Sequence, residues 1–199
     1  MDGAVHDPYL DPETGLLRNH VNAQTEDELE QAEADFSYYR NIELSTAPIP
    51  GIFDFDRLSY IHHYLFQDVY DWAGTVRSID MRKDREGSQF FMPLAKFELA
   101  VAHVFKALAE EKYLRGLERE NFIDRLSYFY DQVNYLHPFR EGNGRAQRRF
   151  WSEVAERAGY FIDWDAAEHS EIDGTSIAAM EHGNLEPLRG MFERIIYTR

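Results

Sequence analysis

Cysteine is absent from the 199-residue chain, so it has no thiol nucleophile, disulfide framework or cysteine zinc site. Lysine is scarce. Lys83, Lys96, Lys106 and Lys112 are four of the 21 basic residues, and the other seventeen are arginine. Net positive charge is also lacking: 36 acids leave a formal charge of −15, which repels DNA, RNA and anionic membrane surfaces at long range and argues against direct contact with them. No apolar run approaches the ~20 residues that cross a bilayer. The start, Met1-Asp2-Gly3-Ala4-Val5-His6-Asp7, has no basic region followed by an apolar stretch. A soluble, cytoplasmic protein is the expectation.

What is present is a folding composition, with 44 % hydrophobic, 15 % aromatic and 29 % charged residues. The length predicts a single domain over 1–199 that buries a substantial core. Turn formers at Asp7-Pro8, Asp11-Pro12 and Thr14-Gly15 predict an extended arm over 1–23. Thr25 and Glu28 form a capping box ahead of a helix burying Leu29, Ala32, Phe36 and Tyr39, stopped by Pro48-Ile49-Pro50-Gly51. Asp54 is an N-cap for a second helix (Leu58, Ile61, Leu65, Val69) ending near Trp72-Ala73-Gly74. Residues 76–93 read as a short β-hairpin with a polar tip over Lys83–Ser88. Helical spacing returns over Leu94–Tyr113 and Asn121–Tyr135, over Arg145–Ala158 with Gly159 as its stop, and around Leu188, Met191, Ile195 and Ile196.

The chemistry concentrates between the last two long helices, in His137-Pro-Phe139-Arg-Glu141-Gly142-Asn143-Gly144-Arg145-Ala-Gln-Arg148-Arg149. Gly142-Asn143-Gly144 can turn successive N–H groups inward as an anion nest, since glycine adopts positive φ freely and asparagine tolerates it. Arg145, Arg148 and Arg149 lie at the positive end of a helix macrodipole, where cations are unfavourable unless an anion is bound. Phosphate fits that demand, and arginine's forked donors suit it.

This run resembles the signature of Fic domains, His-x-Phe-x-(Asp/Glu)-Gly-Asn-Gly-Arg-x-x-Arg, with every specified position filled. The resemblance extends to Asp7-Pro8-Tyr9, to Gly15-Leu16-Leu17-Arg18-Asn19 and to the stretch from Ile61-His62-His63 through Trp72-Ala73-Gly74. The chain is similar to the short bacterial cell-filamentation type, the toxin half of toxin and antitoxin pairs. The resemblance implies an all-α fold with a hairpin flap over 76–93, an active loop and helix start over 137–148, and transfer of AMP from ATP to a protein hydroxyl.

The residues agree with that chemistry on physical grounds. His137 has the only ordinary pKa near neutrality in the run and suits a general base. Glu141 is the candidate ligand for Mg2+, which favours one or two carboxylates plus phosphate oxygens. Gly142, Asn143, Gly144 and Arg145 would neutralise developing phosphate charge. By the family pattern, Arg148 would hold the γ-phosphate. Phe139 is a core anchor. Phe90, Phe91 and Met92 in the flap would clamp a target segment by strand-like pairing, unless the hairpin packs its own apolar face on the domain. His62 and His63 point to different sides of a helix, which disfavours a shared metal, and His103 is expected partly buried. Tyr160 and Trp164 are expected in the core.

Many Fic proteins carry an inhibitory (Ser/Thr)-x-x-x-Glu-(Gly/Asn) helix. Here only Ser152 has a glutamate four residues on, Glu156, and Arg157 follows it. The resemblance therefore implies a small helical antitoxin masking Arg148 in trans, and a type II DNA topoisomerase subunit as target class. Transfer of a phosphoryl or another nucleotidyl group, and a catalytically silent nucleotide-binding module, are the alternatives.

Overall fold

The computed structural model describes residues 7–46, 51–83 and 87–198. Three earlier expectations lie partly outside them: the start of the arm, the Pro48-Ile49-Pro50 helix stop and the Asp84–Glu86 flap tip. The described chain forms α1 (Glu26–Thr46), α2 (Phe55–Phe66), α3 (Leu94–Glu110), α4 (Arg119–Leu136), α5 (Asn143–Ala158), α6 (His169–His182) and α7 (Glu186–Ile195). A small antiparallel pair joins β1 (Tyr160–Ile162) to β2 (Ile196–Thr198), with Phe161 opposite Tyr197.

The helix ends follow their sequence signals. Asp54 accepts the Arg57 N–H at 2.9 Å, and Glu28 donates its N–H to Thr25 Oγ1 at 3.3 Å. Gly159 closes α5 in the left-handed region. α2 stops at Phe66 rather than near Gly74, because the carbonyl of Val69 accepts the His20 N–H from the arm at 2.8 Å instead of serving a further helical turn. α6 and the small sheet were not anticipated. α6 buries only Ile172, Thr175 and Ala179, and Gly174 in its middle offers no side chain, so its apolar spacing is weak.

α1 presents a different face from the one its apolar spacing suggests. Leu29, Glu33, Ser37 and Leu44 are buried, whereas Phe36 and Tyr39 are exposed. The inward stripe is partly polar: Glu33 lines the cleft described below, and Ser37 lies beside Arg145. His103 is exposed on α3, where Phe97, Val104, Phe105 and Leu108 take the inward positions.

The flap is not a regular hairpin. Among the described residues a single bridge joins Arg82 to Phe90, supported by Phe91 N–H to Met81 O at 3.0 Å. Two of its backbone groups are used outward: Met92 N–H donates to Tyr135 O at 2.9 Å, and Arg77 N–H to Pro138 O at 2.8 Å. The segment is thereby tied to the end of α4 and cannot build a ladder with itself.

The core runs through α2, α4 and α5, with Leu58, Ile61, Phe122, Phe129, Phe150 and Trp151 all without exposure. Phe139 joins it, also at 0 % exposure, and Tyr160 stacks on Phe122 while Trp164 packs near Tyr130 and Phe192. The arm docks through Tyr9, whose ring meets Trp72 edge-on and whose hydroxyl accepts the Ser78 N–H at 2.9 Å.

Candidate active site

α4 ends at His137, which caps it in a left-handed conformation (φ 43°) with its N–H still bonded to Val133 O. That conformation reverses the chain and swings the imidazole out of the helix line. Phe91 then covers the ring, nearly parallel at 3.6 Å between centroids. Nδ1 is buried without a hydrogen-bond partner. Enclosure lowers the His137 pKa to about 3; Lys83 and Arg77 add to the effect, and the nearby Asn134 carbonyl opposes it without a well-aligned bond to Nδ1. The imidazole is therefore neutral at physiological pH.

Arg77 fixes the surroundings of this histidine. It is 2 % exposed, and its guanidinium donates to the carbonyls of His137, Ile79 and Met92. The flap and the loop thus share one buried cation.

The loop after His137 is held from both sides. Asn143 receives the Phe139 N–H at 2.9 Å and returns a bond from Nδ2 to the Phe139 carbonyl at 2.7 Å. Its side chain is committed to the loop, which leaves only its backbone N–H for a ligand. His62, 0 % exposed, stacks on Phe139 at 3.8 Å. Its Nε2 donates to the Glu141 carbonyl at 2.9 Å while Nδ1 accepts the Gly74 N–H at 2.8 Å. Burial lowers the His62 pKa to about 3, in keeping with that neutral tautomer.

The predicted nest is simpler than three residues of alternating conformation. Only Gly142 has positive φ (78°), and a Cβ there would also meet the Phe66 ring at 2.4 Å. Asn143 and Gly144 already belong to α5. Since the first helical bond is Ala146 N–H to Gly142 O, the N–H groups of Asn143, Gly144 and Arg145 have no intrahelical acceptor. The expected anion cradle is thus a helix N-terminus entered through one left-handed glycine.

Glu141 has a half-exposed side chain. Its Oε1 accepts the Gly142 N–H at 2.8 Å and lies 3.9 Å from the Arg145 guanidinium. No group of three or more His, Cys, Asp or Glu side chains that could hold a metal occurs among the described residues, so a cation here would depend on this carboxylate together with ligand oxygens.

The arginine cluster divides. Arg149 turns to Glu153 and the Leu44 carbonyl, and Arg140 pairs with Asp7 of the arm at 2.9 Å. Arg145 pairs with Glu33. The largely buried Arg148 makes no hydrogen bond or ion pair through its guanidinium among the described residues, and burial lowers its pKa. Together with His137, Glu141 and the start of α5, Arg145 and Arg148 line one cleft of about 940 Å³. Tyr160 and Trp164 do not line it.

In the flap, Phe91 is buried against His137 and has no free face for a target segment, whereas Phe90 is 55 % exposed and Met92 partly buried. Lys83 reaches Asp173 of α6 at 3.5 Å across the cleft. Sequence reasoning did not select His62, Arg77 or Glu33. The sequence marks His62 only by its neighbour His63, and Arg77 and Glu33 carry no motif.

The Fic/DOC family description matches residues 52–154. The chain belongs to this family. A Fic protein of Escherichia coli K12, named "Probable protein adenylyltransferase Fic", is 34 % identical over 98 % of this chain and 94 % of its own length. Protein adenylyltransferase VbhT of Bartonella schoenbuchensis is 40 % identical over 95 % of this chain, which spans only 39 % of VbhT. Among solved Fic structures, the N-terminal Fic domain of a Bartonella quintana cell filamentation protein with bound ADP superposes with a TM-score of 0.89 at 27 % identity, covering 96 % of this chain and 95 % of that one.

Proposed function

We propose that this Fic-family chain is a protein adenylyltransferase that moves AMP from ATP to a Ser, Thr or Tyr hydroxyl of a target protein. The observation that carries the reading is one cleft holding a neutral histidine, an acid and an arginine-bearing helix N-terminus. The names of its relatives point to the same reaction.

His137 accepts the target hydroxyl proton as the oxygen attacks the α-phosphorus; the bond from that phosphorus to the bridging oxygen breaks and pyrophosphate leaves. Donors at the start of α5 and Arg145 face the charge that develops on the phosphates, where fixed dipoles in a dry site act strongly. Arg148 takes the γ-phosphate and so orients the α-phosphate. Glu141 would hold Mg2+, which would supply further charge neutralisation when bound. Phe90 and Met92 remain the flap residues for target contact; Phe91 supports the base.

Among the described residues, no helix is long and apolar enough to cross a membrane. We place the reaction in the cytoplasm, with a type II DNA topoisomerase subunit as target class. A small helical antitoxin would restrain it by offering Arg148 a carboxylate.

The test is transfer from ATP labelled on either phosphate, using a bacterial lysate. Protein should acquire α-label, and His137→Ala should lower transfer by at least about 100-fold while retaining ATP binding. Protein labelled from the γ-phosphate alone would replace this reading with phosphoryl transfer; ATP binding with no label of either kind would replace it with a binding module.

A further inference from the structure

Arg145 is engaged by an acid that the proposed chemistry does not use. Glu33 of α1 is 7 % exposed and lines the same cleft as His137 and the start of α5. One carboxylate oxygen accepts from Arg145 Nη2, and the other from the Tyr70 hydroxyl. Tyr70 is 1 % exposed, so it anchors the carboxylate from behind. The guanidinium also lies over the Phe66 ring at 4.6 Å, with Ser37 Oγ 3.5 Å from Nη1.

A buried carboxylate is tolerated when paired and hydrogen-bonded, and Glu33 has both kinds of partner. For any third group a few ångströms away, however, the pair is nearly neutral. A phosphate arriving at the start of α5 meets Arg145 with much of its positive field cancelled, and meets a carboxylate of its own sign behind it. Glu33 cannot easily withdraw, because it sits in the middle of a helix and is held by Tyr70.

We infer that Glu33 is the resident counter-anion of the phosphate site: it holds Arg145 while the cleft is empty and competes with the nucleotide's phosphates for that cation, so that it sets nucleotide affinity. The inference rests on the nucleotide reading of the cleft. It differs from the family's inhibitory helix in position and in partner. Leu29 stands four residues before Glu33 and Ala34 follows it, so the inhibitory pattern is absent, and the contact is to Arg145 rather than Arg148. The device is always present, lowering ground-state affinity without shutting the site. Binding energy withheld from the ground state can then be expressed as the transferring phosphate gains charge and draws Arg145 towards itself.

Calorimetric titration of the full chain with ATP tests this. Glu33→Gln keeps the size of the side chain and should tighten ATP binding about tenfold, the effect of roughly one charge contact. In an Arg145→Gln background the same change should have little effect, because the competition is for Arg145. Glu33→Asp draws the carboxylate back by one methylene and should tighten binding by a smaller factor, which covers the case in which the glutamine variant fails to fold. A wild type that binds ATP while folded Glu33 variants bind it no tighter, or more weakly, overturns the inference and leaves the nucleotide reading standing. A wild type and a Glu33→Gln variant that are both silent toward ATP overturn both.

Discussion

His137 and His62 are two buried histidines with different tasks, one as the proposed base and one holding the loop, and both are kept neutral by enclosure. An unfolded chain protonates them near their ordinary value of 6.5, whereas the folded chain resists protonation to about 3. The unfolded state therefore binds more protons between those values, and their stabilising contribution, complete above pH 6.5, is lost as pH falls towards 3. Urea unfolding over this interval should show stability falling with acid, each histidine contributing up to about 1.4 kcal/mol per pH unit. His137→Ala should make the slope shallower, and a slope unchanged by the substitution would rule out the neutral assignment. His137 was legible in the sequence because it heads a dense motif. His62 was not, since its role lies in bonds to Glu141 and Gly74 that only the fold brings near.

At the scale of elements, caps and breakers carried most of the information. Asp54 and Gly159 mark helix ends because their chemistry is local, so α2 begins and α5 ends where the sequence says. Where tertiary bonds decide, the pattern misleads: the arm takes the Val69 carbonyl and shortens α2, and the outward bonds of the flap prevent a ladder. The apolar spacing of α1 points to the wrong face because two of its inward positions, Glu33 and Ser37, are polar. The burial of Phe91 redirects its expected effect from target binding to the histidine it covers. Phe91→Ala should open the imidazole to water and raise the His137 pKa from about 3 towards its ordinary value. Proton NMR titration of the ring reads this directly; an unmoved value would mean that Phe91 does not supply the enclosure.

Across the whole molecule, the formal charge of −15 says little about the cleft, where Arg145, Arg148 and Lys83 gather around His137. An average over 199 residues cannot report a local field. The core is continuous from Ala23 near the arm to Ile196 in β2, with Trp151 of α5 wholly enclosed. Trp151→Ala should lower unfolding stability by about 3–5 kcal/mol, the range for truncating a large buried aromatic, as measured by urea denaturation at pH 7.5. A loss below ~1 kcal/mol would mean that the site can collapse around the gap. The Arg77 hub has a consequence of another kind. All three of its carbonyl contacts are to main chain, in residues 79, 92 and 137. The course of the flap is therefore prescribed while the identity of its outward side chains is not, and mutation can change the surface that the flap presents without disturbing the histidine beneath it.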